Sequence, residues 1–405
     1  MTKSDDKRVP ALRFKGFTDE WEQRKLGEVA NILRGASPRP IKDPKWFDSN
    51  SKIGWIRISD VTNQHGRIYN LEQHLSKAGQ DKTRVVYPPS LLLSIAASVG
   101  YPVITYIETG VHDGFVILDK PKFNLDFMFF KLQQIQKTWN KYGQPGSQIN
   151  INSSIVSNTK ILIPTNNEQL QISNILKKIE KCIHLQQRKL NDLKLIRKAV
   201  SQTIFPGNNK TEPKILVDKT KEIWRKEKAK NIFKEIDIRK VPNNIILSTT
   251  QDGRVVTRES LGRNLLFSQD KLKNYKLVKS GQFIIHLRSF KGGFATSNLV
   301  GIVSPTYTIF DFKDKDENDS HFWSILFTRY NFIQSLKSVT EGIRYNGVAI
   351  KFSQFADLRI TYPTLKTQLK ISNLFRSLNN DIEKQESKIT KLQESKQFLL
   401  QNMFI

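Results

Sequence analysis

Residues 169–205 and 368–404 align without a gap at an offset of 199, and 11 of the 37 paired positions are identical, including all of Ile-Ser-Asn at 172–174 and 371–373. Pro164 and Pro363 obey the same offset. In the first copy apolar residues recur at Ile172, Ile175, Leu176, Ile179, Ile183, Leu190, Leu193, Ile196, Val200 and Ile204. Steps of three and four predict a long amphipathic helix with one apolar stripe. No Gly or Pro interrupts it, and Pro206-Gly207 ends it. A gapless repeat of this length in about half the chain is an internal duplication. Two such helices related by a pseudo-twofold axis pack antiparallel, with a seam expected at Ile172, Ile179, Ile183 and Leu193 of the first and Ile371, Leu378, Ile382 and Leu392 of the second. The equivalent pairs Gln186/Gln385 and Lys189/Lys388 fall mid-stripe, where a polar layer can fix register.

The duplication divides the chain. Residues 1–165 hold an N-terminal segment and a first domain, 166–206 the first helix, 207–363 a linker and second domain, and 364–405 the second helix. Each domain reads as α+β, with short strands and one aromatic-rich helix. In the first, 54–58 alternates as a strand, 90–97 (SLLLSIAA) is a buried strand, 101–107, 114–118 and 160–163 are further strands, and 124–141 is helical. In the second, 244–250 and 254–257 flank an Asp-Gly turn as a hairpin, 281–287 corresponds to 90–97, and 320–336 is the helix. Trp21 opens the first repeat and Trp224, at a slightly different spacing, the second. The helices are alike and the domains differ in residues, as expected of one scaffold carrying two modules that read different things.

Charge narrows the partners. Sixty-five Lys and Arg against 38 acids give a formal +27 and a pI near 9.9. Such a field draws polyanions, nucleic acid first. A membrane surface is the rival, but no Trp/Lys-rich terminal helix supports it, and no run of 18 apolar residues exists. The N-terminus lacks an apolar signal core, so the cytoplasm is the expected compartment. The single Cys182 excludes an internal disulfide and a cysteine-based zinc site.

No catalytic constellation is present: no GxxxxGK[ST] phosphate loop, HExxH helix, GxSxG elbow or Asn/Asp-Pro-Pro-Tyr/Phe stretch. Tyr87-Pro88-Pro89 reads as a turn, and the scattered histidines, His65, His74 and His112 among them, as surface or core residues. The basic loops carry the better signal. Arg34 and Arg39 lie in a proline-rich loop and Arg57 on a strand beside Trp55. Gln148 and Asn150 share one loop, and Arg344 and Asn346 its equivalent. Arg254, Arg263, Arg288 and Lys291 complete the set in the second module. Arg and Gln/Asn pair bidentately with guanine and adenine edges. The plainer alternative for each is a solvated charge or a phosphate contact.

The duplicated plan, Trp21 with Leu26-Gly27-Glu28-Val29, Ile163-Pro164 followed by Glu168-Gln169 and Ile172, and the long helix ending in Phe205 resemble the specificity subunit of type I restriction–modification enzymes. The second copy keeps Tyr362-Pro363, Gln368 and Ile371 but has Thr367 in place of Glu168. The family often has Leu-Asp where this chain has Ile179-Glu180 and Leu378-Asn379. The resemblance implies two target-recognition domains, each reading half of a bipartite site in double-stranded DNA, held apart by an antiparallel coiled coil. It implies a non-catalytic subunit without a cofactor of its own. Two methylation subunits would bring S-adenosylmethionine, and restriction subunits would act through the complex with Mg-ATP. Two other classes compete: a stand-alone adenine methyltransferase or nuclease with unrecognised motifs, and a coiled-coil interaction protein with no DNA role.

Overall fold

The computed structural model describes residues 8–96, 98–142, 151–207, 210–217, 222–241, 245–250, 253–262, 272–286, 293–335 and 350–405. The chain forms two compact units, Met1–Arg188 with Ser387–Ile405, and Lys189–Glu386.

In the first unit Trp21 leads into β1 (Glu22–Lys25), which pairs antiparallel with β10 (Lys160–Ile163), the strand just before the first long helix. A one-turn helix, Leu26–Val29, carries the chain to β2 (Asn31–Arg34). β3 (Gly54–Ile56), β4 (Arg67–Ile68), β5 (Arg84–Val86), β6 (Ser90–Ser94), β7 (Pro102–Thr105), β8 (Thr109–Val111) and β9 (Phe115–Asp119) follow. They form a five-stranded sheet in the order β2-β9-β6-β7-β4 and a three-stranded sheet in the order β3-β8-β5. The continuous apolar run of β6 follows from burial on both faces. Leu91 and Leu93 enter the larger core beneath helix Leu125–Gln134, and Leu92 enters a smaller core with Ile56, Val103, Val111 and Ile117.

The second unit repeats this plan. β11 (Arg225–Lys228) pairs with β20 (Arg359–Tyr362), and a one-turn helix, Ala229–Ile232, leads to β12 (Phe233–Ile236). β13 (Leu247–Thr249) and β14 (Val255–Thr257) form the expected hairpin. β15 (Lys276–Val278), β16 (Phe283–Ile285), β17 (Phe294–Thr296), β18 (Gly301–Val303) and β19 (Thr308–Phe312) complete it. The main sheet runs β12-β19-β16-β17, matching β2-β9-β6-β7. Its core is aromatic: Phe233 meets Phe310 at 5.2 Å and Trp323 at 5.0 Å, both edge-on.

The long helices, Asn166–Thr203 and Leu365–Asn402, each have 38 residues. Each begins in one core and ends in the other. Ile204 and Phe205 lie in the core of the second unit, where Phe205 packs 5.8 Å from Trp224. Met403 and Phe404 lie in the core of the first, where Phe404 packs 6.3 Å from Trp21. Within each unit the helix segments run antiparallel. In the first, Lys396 Nζ lies 2.8 Å from Glu180 Oε1. In the second, Arg197 Nε donates to Asn379 Oδ1 at 2.7 Å and Lys194 pairs with Glu386 at 2.7 Å. The Glu180–Lys396 and Asn379–Arg197 pairs are equivalent under the repeat offset, so Glu180 and Asn379 do the same work from different side chains. Of the expected seam, Ile172 and Ile371 are buried, while Ile179, Ile183, Leu193, Leu378, Ile382 and Leu392 are half-buried. Ile196 is 49% exposed and leaves the stripe. Gln385 is buried, whereas Lys189 and Lys388 face solvent.

The repeated Gln at 169 and 368 is explained by its bonds. Gln169 donates to the Pro164 carbonyl at 2.9 Å and accepts from the Asn124 N–H at 2.9 Å. Gln368 donates to the Pro363 carbonyl at 3.0 Å and accepts from the Asp319 N–H at 2.9 Å. Asn124 and Asp319 are the N-caps of helices Leu125–Gln134 and Ser320–Phe327. One buried amide thus fastens the short helix of each unit to its long helix. The neighbouring position trades charge between repeats. Glu168 is fully buried and takes a two-pronged bond from Arg13, 2.7 Å at Nε and 2.8 Å at Nη2. In the second unit Thr367 stands there, and Glu222 supplies the acid, accepting from the Thr367 hydroxyl at 2.5 Å and the Thr364 N–H at 2.6 Å.

Three expectations need correction. Arg57 is not on a strand: β3 stops at Ile56, and Arg57 is the N-cap of helix Ile58–Asn63, its N–H bonded to Asp60. An acid three residues on turns the chain into a helix there. The helix expected over 124–141 is α-helical only as Leu125–Gln134 and continues as a 3-10 turn, Gln136–Tyr142. That over 320–336 divides into Ser320–Phe327 and Tyr330–Ser335. At the break the Thr328 hydroxyl bonds back to Ser324 and Ile325 carbonyls, competing with helix continuation.

Candidate nucleic-acid interface

Strand register gathers basic residues at one end of the three-stranded sheet in the first unit. β8 pairs with β3 in parallel, Ile56 opposite Val111, and with β5 antiparallel, Arg84 opposite Val111. Arg57, Arg84 and the turn His112-Asp113 therefore leave the sheet together. The end of β2 arrives beside them, because the Gly35 N–H bonds to Phe115 and the Ala36 N–H to Val111. Position 35 has to be glycine: a Cβ there would stand 2.2 Å from the His112 carbonyl oxygen.

Asp113 organises this corner. Its Oδ2 lies 2.6 Å from Arg39 Nη2, and its Oδ1 accepts from the Ser37 hydroxyl at 2.9 Å. Its N–H donates to the Ser37 oxygen at 3.1 Å, and its carbonyl accepts from Arg34 Nε at 3.0 Å. Arg84 donates to the Arg34 carbonyl at 2.9 Å. Burial raises the Asp113 carboxyl, but the Ser37 bond and the charges of Arg39 and Arg34 outweigh it and hold the group below the usual carboxylate range. The His112 Nδ1 is also 3.1 Å from Asp113, yet it accepts the Gly114 N–H at 2.9 Å. A ring nitrogen that accepts carries no proton, so His112 is neutral. Burial, with Arg39 and Arg34 nearby, lowers its pKa against the pull of Asp113. Trp55 meets its ring edge-on at 5.5 Å.

The structure thus brings Arg34 and Arg39 together and places Arg57 on the same edge, held 3.5 Å from Asp60. In the second unit Arg254 is exposed at the start of β14, its backbone tied to Thr250. Gln148, Asn150, Arg263, Arg288, Lys291, Arg344 and Asn346 lie outside the described residues. Asp113 and Arg84 were missed by sequence reading. The signal for Asp113 was present in the Asp113-Gly114 turn between two apolar strands. Of the histidines, His65 lies tilted against His184 at 5.6 Å and His74 bridges Gly54, so they do not gather. Among the described residues no group of His, Cys, Asp or Glu could hold a metal ion, and no helix is long and apolar enough to cross a membrane.

Residues 18–195 match the family model described as the type I restriction modification DNA specificity domain. The fold is similar to that of the type I restriction–modification S subunit from M. genitalium, with TM-score 0.59, 10% identity, and coverage of 98% of this chain and 99% of that one. It is also similar to a chain of a type I R-M system solved to explain complex assembly and conformational transition, with TM-score 0.58, 15% identity, and coverage of 95% and 97%. The family match covers residues 18–195, and the two structural likenesses extend the shared fold to nearly the whole chain.

Proposed function

We propose that the two units read the two halves of a bipartite double-stranded DNA site and direct adenine methylation or restriction by partner subunits. The observation that carries this reading is the repeated scaffold: sheet order, Gln clasp and helix ends recur, while the loop-bearing regions differ. In the first unit Arg34, Arg39 and Arg57 face the DNA, and in the second Arg254 does. Gln148, Asn150, Arg263, Arg288, Lys291, Arg344 and Asn346 extend the two surfaces. Two methylation subunits supply S-adenosylmethionine chemistry, and restriction subunits join through them with Mg-ATP. The assembly works in the cytoplasm.

The test is co-expression with the system's methylation subunits, followed by mapping of methylated adenines. The expected result is a split motif that disappears when this chain is omitted. Replacing residues 31–163 with the corresponding domain of a relative should change one half of the motif only. A contiguous motif, or a change in both halves, would refute the reading.

A further inference from the structure

We propose that Asp113 is a positioning residue for base readout, presetting Arg34 and Arg39 to read guanine in the half-site of the first unit. This rests on the DNA-reading function proposed above. Asp113 holds both arginines at once, Arg39 through its carboxylate and Arg34 through its carbonyl oxygen. It is itself fixed by the reciprocal Ser37 bonds, so neither carboxylate oxygen is idle. Pro38 and Pro40 flank Arg39 and restrict its backbone. The Arg39 side chain is nevertheless 68% exposed, so most of its fork faces outward.

A guanidinium secured along one edge can offer its remaining N–H groups as a pair to O6 and N7 of guanine. Binding then orders less side chain than it would for a free arginine. A phosphate contact asks for no such arrangement, and an acid beside the arginines weakens it by repelling the phosphate. Nor does the Arg39 ion pair account for the acid by stability, since Arg39 is 68% exposed and such pairs contribute little to folding. A carboxylate set among arginines on a positive protein is therefore best explained by geometry imposed on the arginines.

The assay uses the complex with its methylation subunits and a library of duplexes randomised in one half-site at a time. A bidentate arginine–guanine contact gives a preference of roughly 5- to 150-fold. Asp113→Asn should reduce a guanine preference by about fivefold or more in one half-site, leaving the other half-site and the salt dependence unchanged. Arg39→Ala and Arg39→Lys should lose preference at the same position, the lysine because it keeps charge without the fork. Arg39 is exposed enough that its replacement does not threaten the fold. The inference is overturned if Asp113→Asn alters no base preference, alters one for a base other than guanine, or weakens all sequences equally. A wild-type complex without a bipartite preference would overturn the function reading as well. Intact wild-type preference with an indifferent Asp113→Asn overturns this inference alone.

Discussion

Gln169→Ala should loosen helix Leu125–Gln134 of the first unit from the long helix and leave the second unit untouched. Gln169 is 2% exposed, and its amide satisfies the Asn124 N–H and the Pro164 carbonyl. Alanine strands both groups in a site that water does not reach. Each stranded group costs about 1–3 kcal/mol, so the unit should lose about 2–4 kcal/mol if the site relaxes in part. At 1.4 kcal/mol per decade, amides of helix Leu125–Gln134 should exchange roughly 30- to 1,000-fold faster. Hydrogen exchange read by mass spectrometry suits this test, because a chain of two units has no single unfolding free energy. Gln368→Ala should produce the mirror result in helix Ser320–Phe327, through the Asp319 N–H and Pro363 carbonyl. Gln169→Glu keeps the acceptor but turns a carboxylate oxygen toward the Pro164 carbonyl, so it should do no better than alanine. A change below threefold in both variants, or equal loosening of both units by either, would refute the clasp.

Three further outcomes are expected. Arg13→Ala strands a buried carboxylate and should destabilise the first unit by about 3–5 kcal/mol, while adding Glu168→Thr, the residue type of the second repeat, should recover much of this; hydrogen exchange in helix Leu125–Gln134 reads both. Burial lowers the pKa of Lys131 to about 8, so between there and its unfolded value the unfolded chain binds the extra proton; stability of the first unit should rise with pH across that window, and Lys131→Met should flatten the rise in thermal scans. Matched insertions of four helix-forming residues after Lys189 and after Lys388 lengthen each helix by about 6 Å and turn it about 40° past one turn, so mapped methylation should show both half-motifs retained and one or two base pairs added between them; an unchanged gap in an active complex would refute it.

The scaffold was legible because it repeats. A helix without breaks, copied at one offset, announces its own length, partner and direction, and Pro164, Gln169 and Phe205 kept their meaning in three dimensions. Trp224 was legible only as a weak echo of Trp21, since the intervening spacing differs, yet the two occupy matching cores. The site was less legible. Arg34 and Arg39 could be flagged from the proline-rich loop, but Asp113 is 74 residues away from Arg39 and reaches it only through the register of β8. Arg57 was misread because the alternation over 54–58 runs through Arg57, which is the N-cap of the next helix with its N–H bonded to Asp60. Ile196 fitted the stripe by spacing alone, but the partner segment does not cover it. Single-chain periodicity reports which residues can face inward, and only packing decides which do.

The exchange of helix ends also sets an order of assembly. The second unit is one continuous stretch, Lys189–Glu386, and all of it is synthesised before residues 387–405, which the first unit needs. The first unit needs Met403 and Phe404 beneath Trp21 and Phe127 to close its core. Ribosomal synthesis favours folding from the N-terminus forward. Here the module made first cannot complete its core until residues 403 and 404 have been made. Substitutions at residues 399–405 should therefore mimic defects in the N-terminal module during biogenesis, and leave the module beside them in sequence able to fold.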